Sequence, residues 1–225
     1  MKDLLEKILK YLPGYLMDFG SLFCGPKRFM AEKNAHADEM FGQSLLFLGV
    51  SLALCVIMTA PFLPPGKDFW VYVGAKATTF LVCVSVTAIA LHFAWRIVGG
   101  KASIRSFFIT YAYFFSVIVV IFVFFMLLGE GAFKVMDPEL YAKVIEAQLK
   151  HQPLPNLSEN WVPVISFSFL ILGVFFASVW LFFAWGAYRE LNGLSKTRSF
   201  VAFVIMGVLN LPIFAIVDFV GSAMM

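Results

Sequence analysis

Five stretches of the chain stay apolar for about the length of a membrane crossing, and short polar breaks divide them. They lie at roughly 44–63, 69–95, 107–128, 162–187 and 199–222, and a spanning helix needs about 20 mostly apolar residues. Each break has a local cause. "PFLPPGKD" ends the first stretch with three prolines and a glycine, and "RIVGGKASIR" ends the second with paired glycines and three cations. "GEGAFK" is expected to end the third, and "YRELNGLSKTR" parts the fourth from the fifth. Helices satisfy every backbone group inside lipid, so the pattern predicts an all-α, polytopic bundle of five transmembrane helices. The chain divides into a cytoplasmic arm, 1–43, and a transmembrane domain, 44–222, which includes an outer loop at 130–161. Within the arm, Leu4, Leu5, Ile8, Leu9 and Leu12 recur at helical spacing opposite Lys2, Lys7 and Lys10. That is the pattern of an amphipathic helix lying on the membrane surface, or packed on the bundle itself or on a sister subunit. In the outer loop, Asp137 before Pro138 reads as a helix N-cap and first turn, predicting a short extracytoplasmic helix at about 138–150.

Composition settles the solvent. Hydrophobic residues make up 61% of the 225 and charged residues 14%, with a mean hydropathy of +0.87. Soluble domains run at roughly 45–50% and about 25%. The net charge is only +3, but its placement is lopsided. Twelve Lys and Arg fall in the N-terminal arm and the turns near 96–105 and 188–198; four fall on the other side, and Lys76 lies within a span. By the positive-inside rule the N-terminus is cytoplasmic and the C-terminus outside. The N-terminus has no long apolar region ahead of a cleavage site, so the first span is expected to stay in the membrane. Trp70 and Trp161 would anchor at the outer interface, and Trp95, Trp185 and Tyr188 at the inner one. Cys24, Cys55 and Cys83 are widely spaced and read as small apolar residues.

The candidate chemistry is sparse. No phosphate loop, zinc-protease motif or nucleophile elbow is present, and the three histidines do not cluster with other ligands, so no catalytic residue, metal site or cofactor is expected. Intramembrane Ser and Thr are expected to bond their own helices or glue helices together. Lys76 demands more, because a charge in hydrocarbon needs a partner or a purpose. It lies about 12 Å along its helix from the outer turn, and Asp218 lies about 10 Å from the C-terminal end at the rise of an α-helix. The two would share the outer leaflet and form an intramembrane ion pair. The competing reading is a Lys76 that snorkels alone to the headgroups. In the last span, Pro212 is expected to kink the helix, with Asn210 bonding a freed backbone group. Gly173 and Ala177 form one small-xxx-small pair, which admits a homo-oligomer.

The segment "IVGGKASIRSFFITYAYFFS", residues 97–116, resembles the Yip family of Rab-interacting membrane proteins, which has many bacterial relatives. In that family a double glycine and a small, basic turn lead into a helix with an alanine-tyrosine pair. Gly99, Gly100, Lys101, Arg105, Ala112 and Tyr113 stand at those places. "CGPKRFMAE", residues 24–32, and "YRELNGLSKTRSFVAF", residues 188–203, are similar to two further family segments, so the resemblance covers about 22–222. It implies the five-span layout with a cytoplasmic N-terminus. The arm lacks the acidic-aromatic motif of the family's eukaryotic members, and the outer loop is long. The short arm points to a bacterial relative in the inner membrane, with ER or Golgi membrane as the alternative, and the Rab partner is not carried over.

Two functions follow. The first is a non-enzymatic membrane scaffold or adaptor that recruits an unknown protein partner, or organises the bilayer, through basic cytoplasmic turns suited to anionic lipid headgroups. The second is a small transporter, channel or lipid-handling protein with a polar path near Lys76 and Asp218. No nucleic-acid partner is expected.

Overall fold

A computed structural model describes the backbone of residues 2–60, 69–150, 152–156 and 161–224, and the side chains of 10–60, 69–75, 77–147, 150, 152–156 and 161–210. The described chain is all-helical: α1 (Lys2–Cys24), α2 (Pro26–Ala35), α3 (Ala37–Thr59), α4 (Phe69–Ile97), α5 (Ile104–Met136), α6 (Pro138–Leu149), α7 (Val162–Asn192) and α8 (Lys196–Met224). Four of them, α3, α4, α5 and α7, are long and apolar enough to cross a membrane.

The helices outrun the apolar stretches that announce them. α5 has 33 residues, about 50 Å at the α-helical rise, and continues through "GEGAFK", where the sequence pattern placed its end. The glycine there serves packing. A Cβ on Gly129 would lie 2.6 Å from the Ser166 carbonyl oxygen of α7, so only glycine lets the two helices approach. The helix stops instead at Asp137, whose Oδ1 accepts the Leu140 amide at 2.9 Å and caps α6.

α5 is the axis of the bundle, packed between α3 on one side and α7 on the other, while α4 pairs with α8. Gly173 gives a second close approach between α5 and α7, because a Cβ there would meet the Phe125 Cβ at 2.9 Å. The small residue expected to serve association between chains is thus consumed within one chain. Spanning Ser and Thr turn inward on their own helices. Thr78, Thr79, Ser85, Ser116, Ser166, Ser168 and Ser178 each donate to the carbonyl four residues back.

The core is aromatic at the end that carries the basic turns. Trp95, Phe107, Phe114 and Tyr188 pack with ring centroids 5.0–5.9 Å apart, and Trp180 donates Nε1–H to the Phe114 carbonyl at 3.3 Å. This corrects the expectation for Trp95 and Tyr188. They are buried in the protein interior instead of facing the interface, because α4, α5 and α7 converge there. Trp70 and Trp161 are exposed near the opposite end, at 66% and 63%.

α1 differs most from its pattern. It does not end after residue 12 but runs through Pro13 to Cys24. A proline inside a helix costs about 3 kcal/mol. What offsets it is packing of the second half: Tyr15 and Leu22 are buried, Phe19 is half-buried, and Phe23 stacks on Trp180 at 5.6 Å. α1 therefore crosses the α3–α5–α7 face, meeting Phe47 of α3 through Tyr15 and Trp180 of α7 through Phe23. Gly25 breaks the chain and Pro26 opens α2, which lies against α7 and α5.

Candidate functional site at the basic end of the bundle

The two basic turns are built alike. α4 ends with Gly99 at φ 94°, the Gly99 amide donating to the Arg96 carbonyl and the Gly100 amide to the Trp95 carbonyl at 3.0 and 2.8 Å. α7 ends with Gly193 at φ 62°, its amide donating to the Glu190 carbonyl and that of Leu194 to the Arg189 carbonyl, both at 3.1 Å. Both glycines hold the left-handed conformation that side chains resist, and the paired bonds satisfy the last carbonyls of each helix.

Asn192 ties one turn to the other. It is buried, its Nδ2 donates to the Tyr188 carbonyl at 2.9 Å, and its Oδ1 accepts the Ala102 amide at 3.4 Å. Its own carbonyl accepts the Lys101 amide at 3.4 Å. Gly100 sits against this amide: a Cβ would stand 2.5 Å from Asn192 Oδ1 and 2.7 Å from the Trp95 carbonyl oxygen. Ser103 then starts α5, its Oγ accepting the Ser106 amide at 3.1 Å.

Charge at this end is only partly neutralised. Arg105 pairs with Asp38 at the start of α3, and Lys27 pairs with Glu190 at 2.7 Å while its stem lies over Gly186. Arg28, Arg96, Lys101, Lys196 and Arg198 are exposed and, among the described residues, form no ion pair. Arg198 reaches back beside Gly99, so the two turns present one cationic surface.

Beside that surface lies a polar cluster between α1, α2, α3 and α5. Lys33 Nζ donates to both carboxylate oxygens of Asp18 at 3.1 Å, and the Tyr113 hydroxyl donates to Asp18 Oδ2 at 3.4 Å. The ammonium also lies 5.0 Å from the Phe29 ring centroid and 5.8 Å from that of Tyr113. A cation gains from the negative face of an aromatic ring. Tyr15 and Ser51 share a hydrogen bond at 2.9 Å. Asn34 Nδ2 donates to Thr110 Oγ1 at 3.0 Å. A cavity of about 300 Å³ opens between α1 and α3, walled by Asp18 and Lys33 on one side and by Leu46, Phe47 and Val50 on the other.

At the opposite end a wider groove of about 510 Å³ lies between α5, α6 and α7. Tyr141 of α6 donates to Glu130 Oε1 at 2.9 Å. Burial, reinforced by that bond to the carboxylate, pushes the Tyr141 phenol up to about 12.

The sequence-derived candidates fare differently. Gly99, Gly100, Lys101 and Arg105 come together in the joined turns, and Tyr113 lies apart from them in the Asp18 cluster. Asn210 is buried in α8 with no hydrogen-bond partner for Oδ1 among the described residues. The side chains of Lys76, Pro212 and Asp218 lie outside the described residues, as does the ion pair expected of them. α8 is one helix through position 212. Sequence reasoning passed over Asp18 and Lys33. The available signal was a lone acid in the apolar run "YLPGYLMDFGSLF", with Tyr15, Phe19 and Leu22 marking the helix face beside it. Set against models of protein families, characterised proteins and solved structures, the chain matches none.

Proposed function

We propose that the chain is a five-span, non-enzymatic integral membrane protein of the Yip type, with its N-terminus in the cytoplasm and α8 as the fifth span. Its cytoplasmic end gathers anionic lipid headgroups and recruits a protein partner beside them. The observation that carries the reading is the cationic surface: Arg28, Arg96, Lys101, Lys196 and Arg198 come from three separate segments, are exposed, and lack carboxylate partners among the described residues. Each such cation near an anionic membrane surface contributes about 1 kcal/mol. The joined glycine turns support the same reading, since they hold Lys101 and Arg198 in fixed relation. The test is energy transfer from the native tryptophans to dansyl-labelled lipids in proteoliposomes. Phosphatidylglycerol should be enriched at the protein over phosphatidylcholine, and the enrichment should fade with added salt and in the combined Arg28→Gln, Lys101→Gln, Lys196→Gln, Arg198→Gln variant. Equal transfer from both lipids refutes the reading.

A second reading, a small transporter, channel or lipid-handling protein, is favoured by Asn210, a buried amide in an apolar helix whose oxygen has no hydrogen-bond partner among the described residues. Polar groups at such places mark solute paths. Here Asn210→Cys should react with a water-soluble thiol reagent in the native protein. A residue sealed between helices stays unmodified.

A further inference from the structure

The cleft between α1 and α3 has a chemistry that the cationic surface does not. Its charged wall carries one Lys33 and one Asp18, with side chains 17% and 30% exposed, so the pair contributes no net charge. Neither partner is saturated by the described residues. An ammonium has three donors, and among the described residues Lys33 directs hydrogen bonds only to the two Asp18 oxygens. A carboxylate has about four acceptor positions, and Asp18 uses three. The facing wall is apolar and follows α3 into the bundle. Gln43 stands at its polar edge, then Leu46, Phe47 and Val50 line the cleft. Counted from Ala37, these positions run from about 9 Å to about 20 Å along the helix at its ordinary rise. On the α3 wall the polar lining therefore stops at Gln43 and an apolar track continues inward, and across from it Tyr15 of α1 spends its hydroxyl on Ser51.

A ligand bearing one unbalanced charge fits this wall poorly, because a partly buried charge without its own counter-charge is costly. A ligand carrying both signs fits it. A phosphate takes the remaining Lys33 donor and the Gln43 amide, and an ammonium donates to the open Asp18 acceptor. The ammonium must carry an N–H, which a quaternary one lacks and the primary ammonium of phosphoethanolamine has. The hydrocarbon beyond the head then lies along Leu46, Phe47 and Val50. We propose that the α1–α3 cleft binds one phospholipid with a phosphoethanolamine head, its phosphate on Lys33 and its ammonium on Asp18. The proposal shares the membrane placement with the reading above but is independent of the cationic surface, whose ligands are net anionic and many.

The test is native mass spectrometry of the full chain released from micelles containing equal amounts of phosphatidylethanolamine, phosphatidylcholine and phosphatidylglycerol. One phosphatidylethanolamine should be retained per protein in preference to the other two. Asp18→Asn and Lys33→Met should each lower its retention about tenfold, equivalent to about 1.4 kcal/mol. The exchanged pair Asp18→Lys with Lys33→Asp should restore the preference. Leu46→Trp, at a half-exposed wall position, should displace the lipid without lowering the melting temperature, and so guards against variants that fail to fold. Retention of phosphatidylglycerol or phosphatidylcholine equal to that of phosphatidylethanolamine overturns the proposal. So does unchanged retention in Asp18→Asn, or competition by soluble glycerophosphoethanolamine as strong as by the lipid. Loss of phosphatidylglycerol enrichment at the cationic surface leaves this result untouched, so the two readings fail separately.

Discussion

Gly100→Ala tests the joint between the two basic turns more directly than any other single change. The added methyl would stand 2.5 Å from Asn192 Oδ1 and 2.7 Å from the Trp95 carbonyl oxygen, and the second of these is backbone at a helix end. Forcing a carbon into a packed site costs about 1–3 kcal/mol. If Asn192 swings away to make room, its amide gives up the Ala102 and Tyr188 bonds while buried, a further loss of about 1–3 kcal/mol. The total of about 2–6 kcal/mol should lower the melting temperature by roughly 4–24 °C, at about 2–4 °C per kcal/mol for a chain of this size. Gly99→Ala is the control. Its Cβ would meet nothing closer than Arg198 Nη1 at 3.9 Å, so only the positive φ is penalised, at about 1–2 kcal/mol. The assay is thermal unfolding in mild detergent followed by tryptophan emission, which reports on the turn because Trp95 is fully buried within it. Asn192→Ala completes the cycle. In the Gly100→Ala background it removes one of the two clashing groups, so the combined loss should fall short of the sum of the single losses. Strict additivity, or a Gly100→Ala variant no worse than Gly99→Ala, would refute the contact.

Four further outcomes are expected. Gly129→Ala should lower the melting temperature, since its Cβ meets the Ser166 carbonyl at 2.6 Å, whereas Gly49→Ala, with open space around it, should be neutral or stabilising by up to about 1 kcal/mol; a reversed order would mean that α5 and α7 do not touch at this point. Ultraviolet titration of wild type minus Tyr141→Phe should show a phenol deprotonating near 12 instead of near 10. The folded state then holds a proton that the unfolded chain releases, so this contribution is intact below about pH 10 and is lost as pH rises toward 12; a midpoint near 10 would dismiss the Glu130 contact. In intact cells a cysteine at position 2 should be protected from an impermeant thiol reagent and one at 225 should react, the reverse pattern overturning the proposed orientation. For Lys76 and Asp218, a stability cycle with Lys76→Met, Asp218→Asn and the double variant should show the double variant more stable than the sum of single losses implies, because removing one partner of a buried pair costs about 3–5 kcal/mol; additive losses would mean the two do not meet.

What the sequence determined by itself are features whose causes lie close together along the chain. Apolar runs of sufficient length specify helices whatever they pack against, which is why the all-helical class and the four long apolar helices were legible. Asp137 caps a helix three residues away, and Gly99 closes a turn with its immediate neighbours. What only the tertiary structure decided depends on partners far apart in sequence. Asp18 meets Lys33 fifteen positions on and Tyr113 ninety-five positions on, and no local periodicity encodes such pairings. The course of α1 follows from the same cause: Pro13 speaks for a stop, and burial of Tyr15 and Leu22 against other helices outweighs it. Trp95 and Tyr188 carry the residue types of an interfacial belt, yet lie in the core because three helices converge on them. Gly173 could have served contact with another chain, but Phe125 of its own chain takes the space. Lipid and protein interior are both apolar, so hydrophobicity places a residue in the membrane without saying which of the two it faces.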